Sequence, residues 1–135
     1  MSTEAETIER TYRAYFTVFQ MANPRTITPY YHVPCMFISS AGTYALGSVQ
    51  DAERFFERLL YDLRSRGYVR SVLDEVQVKQ LSEDLALVNA RGTRFKKDDQ
   101  LLHPMRGVYT MRKQEGVWRI AVAVMFDPEY PLSIA

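Results

Sequence analysis

Cysteine occurs once in this chain of 135 residues, at Cys35, and histidine twice, at His32 and His103. A single thiol excludes an intramolecular disulfide and a multi-thiolate zinc site. It leaves Cys35 as a small buried apolar residue, in keeping with a reducing compartment. Two histidines without a supporting cluster of carboxylates or thiolates fall short of the ligand sets that metal sites use, so no metal and no cofactor is expected. An excess of charge is lacking as well: 17 Lys and Arg stand against 16 Asp and Glu, a net of +1. That balance leaves no electrostatic footprint for nucleic acid or an anionic membrane. No apolar run approaches the roughly 18 residues of a membrane-spanning helix. The opening MSTEAETIER is acidic and helix-prone, unlike the basic-then-apolar order of a secretory leader. A cytoplasmic location is expected. Repeats, low-complexity tracts and long linkers are also absent, and the length suits one domain spanning residues 1–135.

What the chain does have is aromatic side chains: nine Tyr, seven Phe and one Trp. Thr3 and Glu6 have capping-box spacing, and Ile8, Tyr12, Tyr15, Phe16 and Phe19 follow at helical steps, which predicts an amphipathic first helix with an aromatic stripe. Asn23-Pro24 and Thr28-Pro29 signal a short second helix ending near His32. Pro34 opposes its continuation, and CMFIS (35–39) reads as a short strand. Ser48 and Asp51 start a long helix whose apolar face is Ala52, Phe55, Phe56, Leu59, Leu60 and Leu63, with Gly67 as its stop. Beyond Gly67 the period turns strand-like in four stretches separated by SED, KKDDQ and QEG, the pattern of an antiparallel meander. Helices first and strands after them predict an α+β domain, with the helices packed on one face of a curved sheet.

Three stretches, YFTVFQMANPRTITPYYHVPCMFIS, DAERFFERLLYDL and MRKQEGVWRIAVAVMFDP with its Gly-x-Trp-Arg-Ile run, are distributed over most of the chain, from residue 15 to residue 128. Together they resemble the nuclear transport factor 2-like (cystatin-like cone) superfamily, in its SnoaL-like and ketosteroid isomerase-like branch. The resemblance implies three N-terminal helices on a strongly curved antiparallel sheet, closed into a cone-shaped barrel with a pocket. Aligned with ketosteroid isomerase, Tyr15 falls at the oxyanion-hole tyrosine, Ser39 at the proton-shuttling aspartate, and Gly107 to Tyr109 at the second, acidic donor. A serine hydroxyl is no base near neutral pH, and Gly-Val-Tyr supplies no acid, so steroid isomerisation is disfavoured. Scytalone dehydratase pairs tyrosines with a histidine, which brings in Tyr12, Tyr30, Tyr31, Tyr44 and Tyr109. Limonene epoxide hydrolase needs acids beside an arginine, and Asn89, Arg91 and Thr93 supply only the arginine.

The expected site is an aromatic-lined cone pocket for a small, largely apolar molecule. Its ligand-binding residues are Tyr15, Phe19, Phe37, Ser39, Phe55, Leu59 and Trp118. In an isomerase, dehydratase or cyclase the catalytic pair would be Tyr15 and His103, the latter sharing a strand face with Met105, Gly107 and Tyr109. His32 is expected to cap the end of the second helix. Arg91 and Arg106 are assigned to the outer sheet face; either one, turned inward, would suit an anionic group on a ligand. Trp118, Ile120, Val122, Val124 and Phe126 are expected on one face of the last strand, and Ala121 and Ala123 on the other. The resemblance further implies a homodimer through the sheet, with the tail DPEYPLSIA over the cone mouth or on the partner. A protein-interaction or dimerisation module is the remaining alternative.

Overall fold

The computed structural model describes residues 3–134. Helix α1 (Glu4–Phe19) starts at Thr3, whose hydroxyl accepts from the Glu6 N–H at 3.1 Å and so satisfies one of the orphan donors of a helix start. Asn23 caps the one-turn helix α2 (Pro24–Ile27), and a 3-10 turn follows over Thr28–Tyr30. Strands β1 (Tyr31–Ser39) and β2 (Gly42–Leu46) form a hairpin. Ser48 caps α3 (Val49–Ser65) as Thr3 caps α1. At the far end of α3, Gly67 (φ +96°) takes the left-handed position; its N–H donates to the Arg64 carbonyl and that of Tyr68 to the Leu63 carbonyl. This bond pair is the Schellman stop, and glycine occupies its left-handed residue without steric penalty. The meander is β3 (Arg70–Gln80), β4 (Leu85–Phe95), β5 (Leu101–Gln114) and β6 (Val117–Phe126). Between β5 and β6, Glu115 (φ +53°) and Gly116 (φ +78°) form a two-residue turn whose twist matches the flanking strands.

The fold class is α+β as expected, with two differences in the sheet. Its order is β2-β1-β6-β5-β4-β3, and β1 runs parallel to β6, so the sheet is mixed. Its outer strands β2 and β3 do not meet, so it curves without closing into a barrel. Curvature comes from register shifts in four of the five strand pairings, including Leu73/Glu75 against β4 and Thr110/Met111 against β6. An extra residue on one strand bends it and tightens its twist.

The second helical segment ends two residues earlier than expected. β1 begins at Tyr31 and runs through Pro34, where its pairing with β6 is irregular and no ladder bond is lost to the missing N–H. His32 therefore lies in a strand and caps no helix; its Nε2 stands 2.9 Å from Arg112 Nη1. The shift in β6 also overturns the expected alternation of that strand. Trp118 and Ile120 face inward, but past Ala121 the phase inverts: Ala123 is fully buried opposite Tyr109, while Val122, Val124 and Phe126 turn outward.

On the concave face, α1 packs against β3 and β4, and α3 lies beside α2 and the hairpin. The sheet offers small residues there, Ala86, Ala90, Gly92, Gly107 and Ala123, and the bulk comes from Tyr12, Tyr15, Phe19 and Phe56 of the helices. Small against large across a curved sheet is how the interior packs closely. The convex face carries Arg91 and Arg106, as expected. The tail lies there too, on its own sheet and away from the cone mouth. Arg106 donates to the carbonyls of Tyr130 (3.1 Å) and Leu132 (3.2 Å), and Asn89 Nδ2 to that of Leu132 (2.7 Å). Among the described residues, no helix is long and apolar enough to cross a membrane.

Candidate functional site

The aromatic stripe of α1 delivers Tyr12 and Tyr15 into the concave interior, where they meet Tyr31 from β1 and Tyr109 from β5. Ring centroids lie 4.8 Å apart for Tyr12–Tyr109, 5.5 Å for Tyr15–Tyr31 and 6.2 Å for Tyr15–Tyr109, the tilted and edge-on contacts that aromatic quadrupoles favour. The Tyr15 and Tyr31 hydroxyls share a buried hydrogen bond of 2.7 Å. Tyr109 Oη donates to the Met125 thioether at 3.6 Å, and the buried Tyr12 hydroxyl faces that of Tyr109 without forming a well-aligned hydrogen bond. Tyr109 reaches Met125 because its ring lies back over Gly107; a Cβ there would come within 2.9 Å of the ring. Burial, more than any neighbour, pushes all four phenols above the ordinary tyrosine range, so they stay protonated near neutral pH and serve as hydrogen-bond donors.

A small inner cavity of about 20 Å³ lies against this cluster, bounded by Tyr15, Phe19, Phe37, Leu59, Met105 and Arg94 among others. Gln20 stands next to it, where its Oε1 accepts from the Ser71 N–H at 2.9 Å and ties the end of α1 to β3. On the other side of Phe37 and Leu59 a larger groove of about 660 Å³ opens between α3 and the β1–β2 hairpin. Phe37, Phe55 and Leu59 form its floor; Ser39, Thr43, Asp51, Arg54, Arg58 and Asp62 stand at its edges.

Of the seven expected ligand-binding residues, Tyr15, Phe19, Phe37 and Leu59 line the inner cavity, and Phe37, Ser39, Phe55 and Leu59 line the groove. Trp118 lines neither. It sits at the opposite end of the sheet, where its indole N–H donates to the Glu4 carboxylate, which also pairs with Lys113 at 3.2 Å. Ser39 Oγ accepts from the Ala41 N–H at 3.2 Å, so the hydroxyl closes the hairpin turn. His103 lines neither the inner cavity nor the groove; it lies on β5 two residues before Met105, and Arg94 is its cross-strand partner. Arg94 Nη1 stands 3.2 Å from His103 Nε2. Partial burial, then the nearby Arg94 and Arg66 charges, lower the His103 pKa; the neutral ring accepts the guanidinium proton at Nε2. Tyr15 and His103 share no hydrogen bond. Burial raises the Cys35 thiol to about 11, which keeps it unreactive near neutral pH.

Arg94 is the residue that the sequence reading passed over. The alternation that assigns Asn89, Arg91 and Thr93 to one face of β4 puts Arg94 on the other, with Ala86, Val88, Ala90 and Gly92. A guanidinium at the end of such an apolar, small-residue face was the available signal. Its carbon Cζ stands 5.7 Å from the Phe19 ring centroid and 5.9 Å from that of Tyr68.

The hydroxyls separate into one well-formed pair, Tyr15 and Tyr31, and a poorly satisfied Tyr12, and this predicts opposite outcomes. Tyr15→Phe leaves Tyr31 Oη alone in the interior and is expected to cost about 1–3 kcal/mol; Tyr12→Phe removes a buried hydroxyl that lacks a well-aligned hydrogen bond and is expected to be neutral or stabilising. Urea unfolding of both variants checks the contrast, which fails if Tyr12→Phe is the more damaging.

Solved structures of similar shape share the fold at low identity. A putative calcium/calmodulin dependent protein kinase II association domain from Xanthomonas campestris has a TM-score of 0.73 at 19% identity, over 96% of this chain and 91% of the other. A ketosteroid isomerase-like protein from Erwinia carotovora atroseptica has 0.72 at 19%, over 93% and 97%. An NTF-2 like protein of unknown function from Shewanella oneidensis has 0.70 at 15%, over 89% and 96%. Among curated proteins none matches in sequence. The sequence itself matches the NTF2-like protein family DUF6841 over residues 4–128, nearly its full length, and the chain belongs to that family.

Proposed function

We propose that this protein binds a small, largely apolar molecule in the groove between α3 and the β1–β2 hairpin. The carrying observation is the groove itself. About 660 Å³ above Phe37, Phe55 and Leu59, with polar groups confined to the edges, has the size and chemistry of a small-molecule site. Binding is favoured over turnover because an isomerase, dehydratase or cyclase needs a base. The residues bounding the inner cavity include no carboxylate, the groove carboxylates Asp51 and Asp62 are exposed and paired with Arg54 and Arg66, and His103 Nε2, the base that such an enzyme would use, is engaged by Arg94.

The neutral fluorophore N-phenyl-1-naphthylamine tests this. Saturable binding to the wild type is expected, weakened at least about tenfold, or about 1.4 kcal/mol, in Leu59→Trp, which fills the groove from a half-buried position. Absence of saturable binding to the wild type, or an unchanged affinity in a folded Leu59→Trp, overturns the proposal.

Self-association through the convex face is the partner reading that goes with it. Met36, Ile38, Val108, Val122 and Val124 form a half-buried apolar strip there, on β1, β6 and the stretch of β5 beyond Arg106. Light scattering at the dimer mass would support it, and a monomer mass would remove it.

A further inference from the structure

The polar groups around the inner cavity are unbalanced. Arg94 borders it, and among the described residues no carboxylate comes within 4.0 Å of that guanidinium; its one hydrogen-bond partner is a neutral imidazole nitrogen. The phenols add donors: Tyr109 Oη donates to a thioether, a weak acceptor, and the Tyr12 hydroxyl behind it has only the poorly aligned Tyr109 oxygen. A buried donor without an acceptor costs free energy, and a partly buried cation without an anion costs more. The site is short of acceptors and of negative charge.

We infer that the ligand is an apolar acid whose carboxylate enters the inner cavity to pair with Arg94 and accept from Tyr109, while its apolar body passes Phe37 and Leu59 into the groove. This rests on the binding reading above and names the ligand class. A carboxylate supplies the missing charge and about four lone-pair sites, and its planar shape matches two N–H groups of a guanidinium. His103 is the positioning residue: its lone pair holds Nη1, and the rings of Phe19 and Tyr68 flank the guanidinium, so its donors are oriented before a ligand arrives. About 20 Å³ holds little more than a water, so the head group needs room from its neighbours. Met105 and Met125 border the cavity, and thioether side chains repack at small cost.

The test is a matched pair of probes, 2-naphthoate and 2-naphthamide, which share a ring system and differ in charge. Calorimetric titration of the wild type is expected to give at least about tenfold tighter binding of the acid, a preference that declines with added salt. Arg94→Met is expected to abolish the preference, with the acid losing at least about tenfold more affinity than the amide. Arg94→Lys, which keeps the charge and loses the planar fork, should retain part of it and guards against a folding defect in the first variant. Equal binding of both probes by the wild type, or a preference that survives in Arg94→Met, overturns the acid assignment and leaves the binding reading standing. Binding of neither probe overturns both.

Discussion

Phe56→Ala is expected to destabilise the protein by about 3–5 kcal/mol, the range for emptying a well-packed aromatic site. Phe56 is fully buried near the middle of α3, with ring centroids of Tyr31 at 4.8 Å, Phe55 at 5.4 Å and Phe37 at 6.4 Å. It thus joins the long helix, the first strand and the tyrosine cluster, and none of these can move into the void without breaking its own contacts. Chemical denaturation should show a lower midpoint with an unchanged m-value, because the surface exposed on unfolding is nearly the same. A loss below about 1 kcal/mol would mean that the interior collapses around the deletion, against the close packing argued here. The neighbouring Phe55 is a built-in comparison. One residue further round the helix, it is half-buried, contacts Phe37 and Tyr44 at 4.8 and 5.3 Å, and floors the groove. Phe55→Ala should therefore cost less stability and more of any ligand affinity. Two adjacent phenylalanines, about 100° apart on the helix, serve the core and the candidate site separately.

Helix starts and stops were legible in the sequence because their signals are local. Thr3, Asn23 and Ser48 each accept from an N–H two or three residues on, and Gly67 ends α3, all within a few residues of chain. The four meander strands were legible for the same reason, since alternation and tight turns need no distant partner. Three things depended on distant partners and were not. Direction and neighbour of β1 are set by where the hairpin docks, and nothing in CMFIS specifies a parallel seat beside β6. The inverted phase of β6 follows from an extra residue at Ala121 that alternation alone cannot reveal; this is why Val122 and Val124 are expected on the wrong face, whereas Trp118 has the inward phase and misses the pocket because it lies at the opposite end of the sheet. Tail placement depends on Asn89 and Arg106, whose role as anchors appears only once the tail carbonyls are beside them. For the candidate site, α1 and α3 supplied Tyr15, Phe19, Phe55 and Leu59 through helical spacing, whereas Arg94 required following a strand's alternation onto its apolar face.

Gly92→Ala is the second large effect, and it acts on fold and site together. At this position a Cβ would stand 2.8 Å from the Val72 carbonyl oxygen, 3.1 Å from Met105 Sδ and 3.2 Å from Phe16 Cζ. The thioether can give way; the backbone oxygen belongs to β3, whose register against β4 shifts just beyond Leu73, the partner of Gly92. The bend at that shift brings the β3 backbone close over β4, and only a residue without a side chain permits the approach. Elsewhere Gly→Ala gains about 0.4–1 kcal/mol by restricting the unfolded chain. Here overpacking of about 1–3 kcal/mol opposes that gain, so net destabilisation is expected. Gly47→Ala is the control, because its added methyl meets nothing nearer than Asp51 Oδ2 at 4.0 Å. Thermal unfolding of the two variants should move in opposite directions, or leave Gly47→Ala unchanged. A Gly92→Ala protein as stable as the wild type would mean that β3 slides freely at the bend. Since Phe16 and Met105 both border the inner cavity, the same methyl should push them into its small volume and weaken whatever head group enters beside Arg94. Close strand approach at Gly92 is thus what leaves the cavity its space, and curvature of the sheet and capacity of the site stand or fall at one residue.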